Sequence, residues 1–289
     1  MGFALVAAAY LLAGVAAWAV CLALAGHHPV TVALWADVVA TLAVFGCSMA
    51  VANASLYDPY WSVAPPVIAI AWAAVAGSGV AARQVLVIAL ILLWALRLTG
   101  HWAGTWRGLG HEDWRYVDLR TGTAGRLPWW LVNLGGIQLL PTLVVFAGML
   151  SVWPALTGAR GFGPLDVLAA AVTLAAIGLE GLADAQLKRF AADPAHRGRI
   201  ADVGLWRWVR HPNYLGEIAF WWGLWLFGLA AAPGWWWSML GPAVMVALFA
   251  FASVPLMDRR SLARRPGYGE HMLAVPALLP RPWRTPGTR

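Results

Sequence analysis

The sequence predicts an all-α protein, a polytopic bundle of seven to eight transmembrane helices forming one integral membrane domain over residues 1–289. Three observations predict it. Hydrophobic residues make up 61% of the chain and charged residues 11%, whereas soluble globular domains carry about 25% charged residues. The apolar residues fall into runs near the ~20 residues that cross a bilayer as helix. The basic residues collect in a few polar segments that this layout places on one face, the asymmetry that orients membrane proteins.

Residues 3–25 form the first span. The run lacks a basic leader and a cleavage pattern, so it reads as a span and not as a signal peptide. His27, His28 and Pro29 make a turn, and residues 31–52 form the second span, with Asp37 near its start. The pattern breaks over residues 53–64, which include Asp58 and Pro59, and Pro65 and Pro66 follow; prolines end or kink helices. A third run, 65–80, is short, which predicts tilt or a kink. A fourth covers 84–102, and residues 103–127 are a long polar segment. Residues 128–150 form the fifth span, 151–164 a Gly/Pro loop and 165–183 the sixth span. A second polar segment, 184–211, leads into the seventh span at 213–231. Pro233-Gly234 separates it from the eighth, 235–256, and the tail from Asp258 is basic and proline-rich.

Charge tests this layout. Segment 103–127 holds Arg107, Arg115, Arg120 and Arg126, and segment 184–211 holds Lys188, Arg189, Arg197, Arg199, Arg207 and Arg210. The tail adds Arg259, Arg260, Arg264, Arg265, Arg281, Arg284 and Arg289. Eight spans put all three segments, both termini and the Tyr57–Trp61 turn on one face, leaving Arg83 and Arg160 opposite. The positive-inside rule makes the basic face cytosolic. The net charge of +7 then serves orientation and contact with lipid headgroups or an anionic ligand. A chain this apolar is not read as a nucleic-acid binder, and nothing signals an obligate protein partner. Cys21 and Cys47 lie in separate apolar runs and give neither a disulfide framework nor a metal spacing. Walker loops, a strand-borne glycine fingerprint and Gly-x-Ser-x-Gly are absent, so a nucleotide would have to bind between helices.

Five groups of residues could carry chemistry. Asp58, between two aromatics and beside a proline, is either a carboxyl that meets the polar head of a greasy substrate or the cap of the next helix. Arg97, a turn from His101 and near Trp94, either meets a phosphate or an acid such as Asp58, or snorkels to the interface. His111-Glu112-Asp113-Trp114-Arg115 lacks the helical His spacing of a metal site and reads as a solvated loop with internal ion pairs. Glu180, Asp184 and Lys188 recur every four residues on one helical face; they form either an ion-paired helix end or the wall of a cofactor site. Arg207, Arg210, His211, Asn213, Tyr214 and Glu217 surround Pro212 at a helix start. Free amides there favour an anion, and a simple helix cap leaves the buried Asn213 and Glu217 unexplained.

Four stretches together carry a resemblance. They are Tyr57-Asp58-Pro59-Tyr60-Trp61-Ser62-Val63-Ala64-Pro65, Leu96-Arg97-Leu98-Thr99, Gly110-His111-Glu112-Asp113-Trp114-Arg115-Tyr116, and Gly204 through Glu217 with its Arg210-His211-Pro212-Asn213-Tyr214 centre. In this order they resemble the bacterial DUF1295 branch of the steroid 5-alpha-reductase superfamily. The Arg-His-Pro-x-Tyr piece alone is also similar to isoprenylcysteine carboxyl methyltransferases and phospholipid methyltransferases. The reductase resemblance implies a helical bundle in the bacterial inner membrane, with cytosolic loops capping a cavity for NADPH. It implies hydride transfer to the C=C of a lipid-like enone, and a carboxyl, helped by a tyrosine, at the carbonyl oxygen. Asp58 stands in the place of that carboxyl; span four offers Trp94 or His101 in place of the tyrosine. The resemblance matches Asp184, Asn213, Arg97, Arg107, Arg259 and Tyr268 to cofactor-holding positions; with the groups above, the expected cofactor-binding set adds Arg115, Glu180, Lys188, Arg207, Arg210, His211, Tyr214 and Glu217. The partners are then a lipid-like small-molecule substrate and the membrane lipids. The rival expectation is an S-adenosylmethionine-dependent methyltransferase using the same Arg210–Tyr214 region.

Overall fold

The computed structural model describes residues 2–280, which contain helices, turns and loops but no strand. Seven helices are long and apolar enough to cross a membrane: α1 (Gly2–Ala23), α2 (Pro29–Ala50), α4 (Ala81–Thr105), α6 (Trp129–Thr157), α7 (Pro164–Ala192), α8 (Pro212–Ala231) and α9 (Pro233–Arg264). Between α2 and α4 lies α3 (Tyr60–Val75), apolar but only 16 residues long. Two shorter, more polar helices, α5 (Trp114–Thr123) and α10 (Tyr268–Ala274), follow α4 and α9. The tail residues Arg281, Arg284 and Arg289 lie outside the described residues.

Prolines here start helices more than they end them. Pro29, Pro164, Pro212 and Pro233 open α2, α7, α8 and α9, where the missing N–H costs nothing. Pro65 and Pro66, expected to mark a boundary, lie inside α3, which spans 60–75 in place of the expected 65–80. The cause is the segment before it. Ala52, at φ 53°, reverses the chain after α2, and the Asn53 amide donates back to the Ser48 carbonyl at 3.0 Å. Residues Ala54–Tyr57 then form a buried 3-10 turn packed against α2. The chain has already doubled back along α2 when α3 begins, so α3 is short.

The core is aromatic: Trp72, Trp94, Phe220, Trp221 and Phe227 are each 2% exposed or less. Its tightest pair is α7 on α8. A Cβ at Gly216 would stand 2.7 Å from Glu180 Cβ and 2.9 Å from the Ala176 carbonyl oxygen, so only glycine lets these helices touch there. At the end away from the basic segments, Arg83 makes a fully buried two-pronged ion pair with Asp166, at 2.6 and 2.9 Å. It also donates to the carbonyls of Arg160 and Gly161. One of the two cations expected opposite the basic face is therefore neutralised within the protein.

Candidate active site

Three polar assemblies gather where α4, α7, α8 and α9 meet the basic segments. The first is built on the α7–α8 contact. Arg97 of α4 places Nη1 3.0 Å from Asp184 Oδ2 and Nη2 2.5 Å from Glu180 Oε1. The four-residue spacing of Glu180 and Asp184 thus presents both acids to Arg97, and the exposed Lys188 is not their partner. Arg97 meets these two carboxylates and not Asp58. Asn213 Nδ2 reaches Asp184 Oδ1 at 3.5 Å, the limit of a hydrogen bond. His101, 45% exposed, holds Nδ1 4.0 Å from Asp184 Oδ2. Glu217, buried next to Gly216, accepts the indole N–H groups of Trp94 and Trp221, each at 2.8 Å. Arg97 Nε and Glu180 Oε2 are buried without a hydrogen-bond partner among the described residues. Such orphans are rare in folded proteins and ask for an explanation.

The second assembly joins two stretches about 58 positions apart in sequence. Asn53 Nδ2 donates to the carbonyls of Leu109 and His111. The Ala54 amide donates to Glu112 Oε1 at 2.8 Å, and the Asp113 amide to Ser55 Oγ at 2.7 Å. Tyr116 Oη donates to Asp58 Oδ1 at 2.5 Å. The internal ion pair expected in this stretch is present, Arg115 Nε lying 2.9 Å from Asp113 Oδ1, but residues 109–116 are zipped to the turn after α2 and are not the solvated loop expected. Asp58 is 17% exposed, with Arg115 Nη2 4.0 Å away. Burial pushes its carboxyl up to about 6, against the opposing pull of Arg115 and of the Tyr116 bond. Burial also works to raise Asp113, but the hydrogen bonds and charge of Arg115 outweigh it and hold that acid below its usual value. The two carboxyls share one guanidinium, and the less exposed one keeps its proton longer.

The third assembly centres on Asp258 of α9. It accepts from Arg210 Nε at 3.2 Å and Nη2 at 2.8 Å, and from Tyr268 Oη at 2.7 Å. His211 Nε2 lies 3.1 Å away. Arg210 also donates to the carbonyls of Met272 and Val275. The amides of Arg210 and His211 donate to the carbonyls of Pro276 and Ala277. In place of a free cation waiting for an anion, Arg210 clamps the chain after α10 to the start of α8.

Tyr214 connects the three. Its ring stacks on His211, with centroids 5.3 Å apart, and it lies within electrostatic reach of Arg115, Asp113, Asp184 and Asp258. Arg107, Lys188, Arg207 and Arg259 are exposed around this end. Arg207 donates to the Asp202 carbonyl. Trp94 has no exposed surface and its only polar atom is spent on Glu217. The tyrosine that meets Asp58 comes from α5 and not from span four: it is Tyr116. Sequence reasoning left Tyr116 and Asp258 out of the candidate set; the only signal for Tyr116 was its place at the end of the Gly110–Tyr116 stretch.

Residues 44–272 match the family described as "Protein of unknown function (DUF1295)". The chain belongs to the DUF1295 family. Every candidate residue from Asp58 to Tyr268 falls inside the matched stretch. The chain is also 26% identical to an uncharacterized protein of Schizosaccharomyces pombe, C594.04c, a likeness covering 88% of this chain and 80% of that protein. No solved structure matches the chain. This DUF1295 protein is thus a membrane protein whose three polar assemblies share one end of a helical bundle.

Proposed function

We propose that this DUF1295 protein is a membrane-embedded, NADPH-dependent reductase acting on the C=C of a lipid-like enone. It would lie in a bacterial inner membrane with the basic end and both termini in the cytosol. The observation that carries the reading is the meeting, around Tyr214, of Asp184, which pairs with Arg97, and of Arg115, the guanidinium beside the raised carboxyl of Asp58. The donor set suits a dinucleotide. Arg97 Nε offers a donor and Glu180 Oε2 an acceptor that the protein leaves unsatisfied, a pairing that a carboxamide complements. Asp184 and Asn213 offer further partners for ribose hydroxyls, and the exposed Arg107, Lys188, Arg207 and Arg259 attract phosphates. When bound, a reduced nicotinamide supplies the hydride. Asp58, with a proton held to about pH 6, hydrogen-bonds the substrate carbonyl oxygen as negative charge grows there. Tyr116 and Arg115 orient that carboxyl, and the zipped 109–116 stretch screens it from water.

The test is a titration of the detergent-purified protein with NADPH, followed by reduced-nicotinamide fluorescence. Saturable binding is expected. Asp184→Ala should weaken it on the order of tenfold, about 1.4 kcal/mol. Asp58→Asn should leave binding within about twofold while lowering turnover of an enone at least about tenfold, the low end of what an acid group contributes. Saturable binding of S-adenosylmethionine with none of NADPH would overturn the reductase reading in favour of methyl transfer.

A further inference from the structure

A cavity of about 550 Å³ lies away from these assemblies, between α1, α2 and α3. It exists because the three helices face one another with small residues, among them Ala13 and Ala17 of α1, Ala36 of α2 and Ala64 of α3. It runs from the α1–α2 turn at Gly26 and Pro29 to Ala40 and Tyr60. That path is about 16 Å along α2 at 1.5 Å per residue. The exposed side chains of Trp18 and Val67 form its lip. Its walls are largely apolar; His27 lies at the α1–α2 turn, and Tyr10, Tyr60 and Asp37 are the polar side chains farther in. Asp37, 6% exposed, lines the inner end. Tyr60 Oη donates to Asp37 Oδ1 at 2.8 Å. Among the described residues Asp37 Oδ2 has neither a hydrogen bond nor a cation.

A carboxyl deep in a hydrophobic span is costly without partners, and this one lines an apolar cavity while its second oxygen accepts no hydrogen bond from the described residues. Ordinary acyl chains offer it nothing, and a phosphate headgroup would set negative charge against it. A hydroxyl satisfies it in either protonation state, because a hydroxyl both donates and accepts. We propose that the α1–α3 cavity binds an apolar alcohol, a hydrocarbon body with its hydroxyl inserted first and bonded to Asp37. The site does not depend on the reductase reading. Arg97, Glu180, Asp184 and Asp58 contribute nothing to its walls.

The probe is hexadecanol carrying a diazirine and an alkyne, compared with its methyl ether, on the full chain in lipid nanodiscs. The alcohol should label peptides from α1, α2 and α3 and be competed by plain hexadecanol. It should exceed the ether about fivefold, the equilibrium weight of one net hydrogen bond. Asp37→Leu should erase that preference, whereas Asp37→Asn, which still hydrogen-bonds, should retain part of it. Val67→Trp, at the exposed lip, should lower labelling without shifting the thermal midpoint. Equal labelling by alcohol and ether in the natural sequence would overturn the proposal even if Asp37→Leu fails to fold. A preference that survives in well-folded Asp37→Leu would overturn it too.

Discussion

Asp58 gives the sharpest quantitative expectation. Its carboxyl titrates near 3.8 in the unfolded chain and near 6 in the folded protein. The folded state therefore holds more protons than the unfolded state between those values, and stability must fall as pH rises through the window. The stabilising protonation is fully present below pH 3.8 and its benefit is lost by about pH 6. Linkage applied to these two values gives a loss of about 2 kcal/mol between roughly pH 4 and pH 7, out of about 3 kcal/mol over the whole titration, the remainder being lost below pH 4. Asp58→Asn cannot titrate and removes this component. The assay is unfolding of the purified protein in detergent, followed by tryptophan fluorescence at a series of pH values. The natural sequence should lose about 2 kcal/mol more than Asp58→Asn between roughly pH 4 and pH 7. The other acids cancel in that difference. Tyr116→Phe should steepen the loss, because the Tyr116 bond favours the charged form. Parallel curves for the natural sequence and Asp58→Asn would refute the burial argument, and with it the idea that Asp58 is poised to hold a proton.

Two further outcomes follow from packing. Gly216→Ala forces a methyl to 2.7 Å from Glu180 Cβ and against α7 backbone; it should cost about 1–3 kcal/mol and disturb the Arg97 cluster, readable as a lower thermal midpoint. Arg210→Ala strips Asp258 of its two-pronged partner and frees the carbonyls of Met272 and Val275. The segment after α10 should then be cut by protease at least about tenfold faster, because leaving a buried ion-pair partner alone costs about 3–5 kcal/mol.

How much of this was legible beforehand depends on whether the signal is local. Hydropathy runs located the spans, because apolar length is a property of contiguous residues, but not all their ends: α7 runs to Ala192 in place of 183, and α6 continues to Thr157 through residues read as loop. They misjudged α3 by five residues, because the buried turn Ala54–Tyr57 is held by partners at 109–116 that no window of sequence contains. The same zipper explains why residues 109–116 read as a solvated loop: their internal ion pair, Arg115 with Asp113, is visible locally, and their partners in residues 53–58 are not. Glu180 and Asp184 were legible as one face from their spacing. The cation they share was not, since Arg97 comes from another helix, 87 positions from Asp184. Asp258 carried no signal at all, being one acid at the start of a basic tail. Its role rests on Arg210 and His211, nearly 50 positions away.

Charge balance bears on the proposed cofactor. The Arg97 set has two carboxyls for one guanidinium, and the Arg115 set has Asp58 and Asp113 for one. Only the Asp258 set is balanced or better, with Arg210 and His211 facing one acid. Both assemblies are thus short of cations, the first the more so because the buried Glu217 adds a third carboxyl, in surroundings where an uncompensated charge is expensive. Asp58 meets the shortage by holding its proton to about pH 6. The Arg97 set meets it less completely, since Glu180 Oε2 remains without a donor. What that set needs is a neutral group rich in N–H or O–H donors, brought in by a molecule whose own negative charge is drawn to the exposed arginines outside. The proposed dinucleotide would answer both needs at once, with amide and ribose donors at one end and phosphates at the other. Neither a simple lipid nor a small anion does.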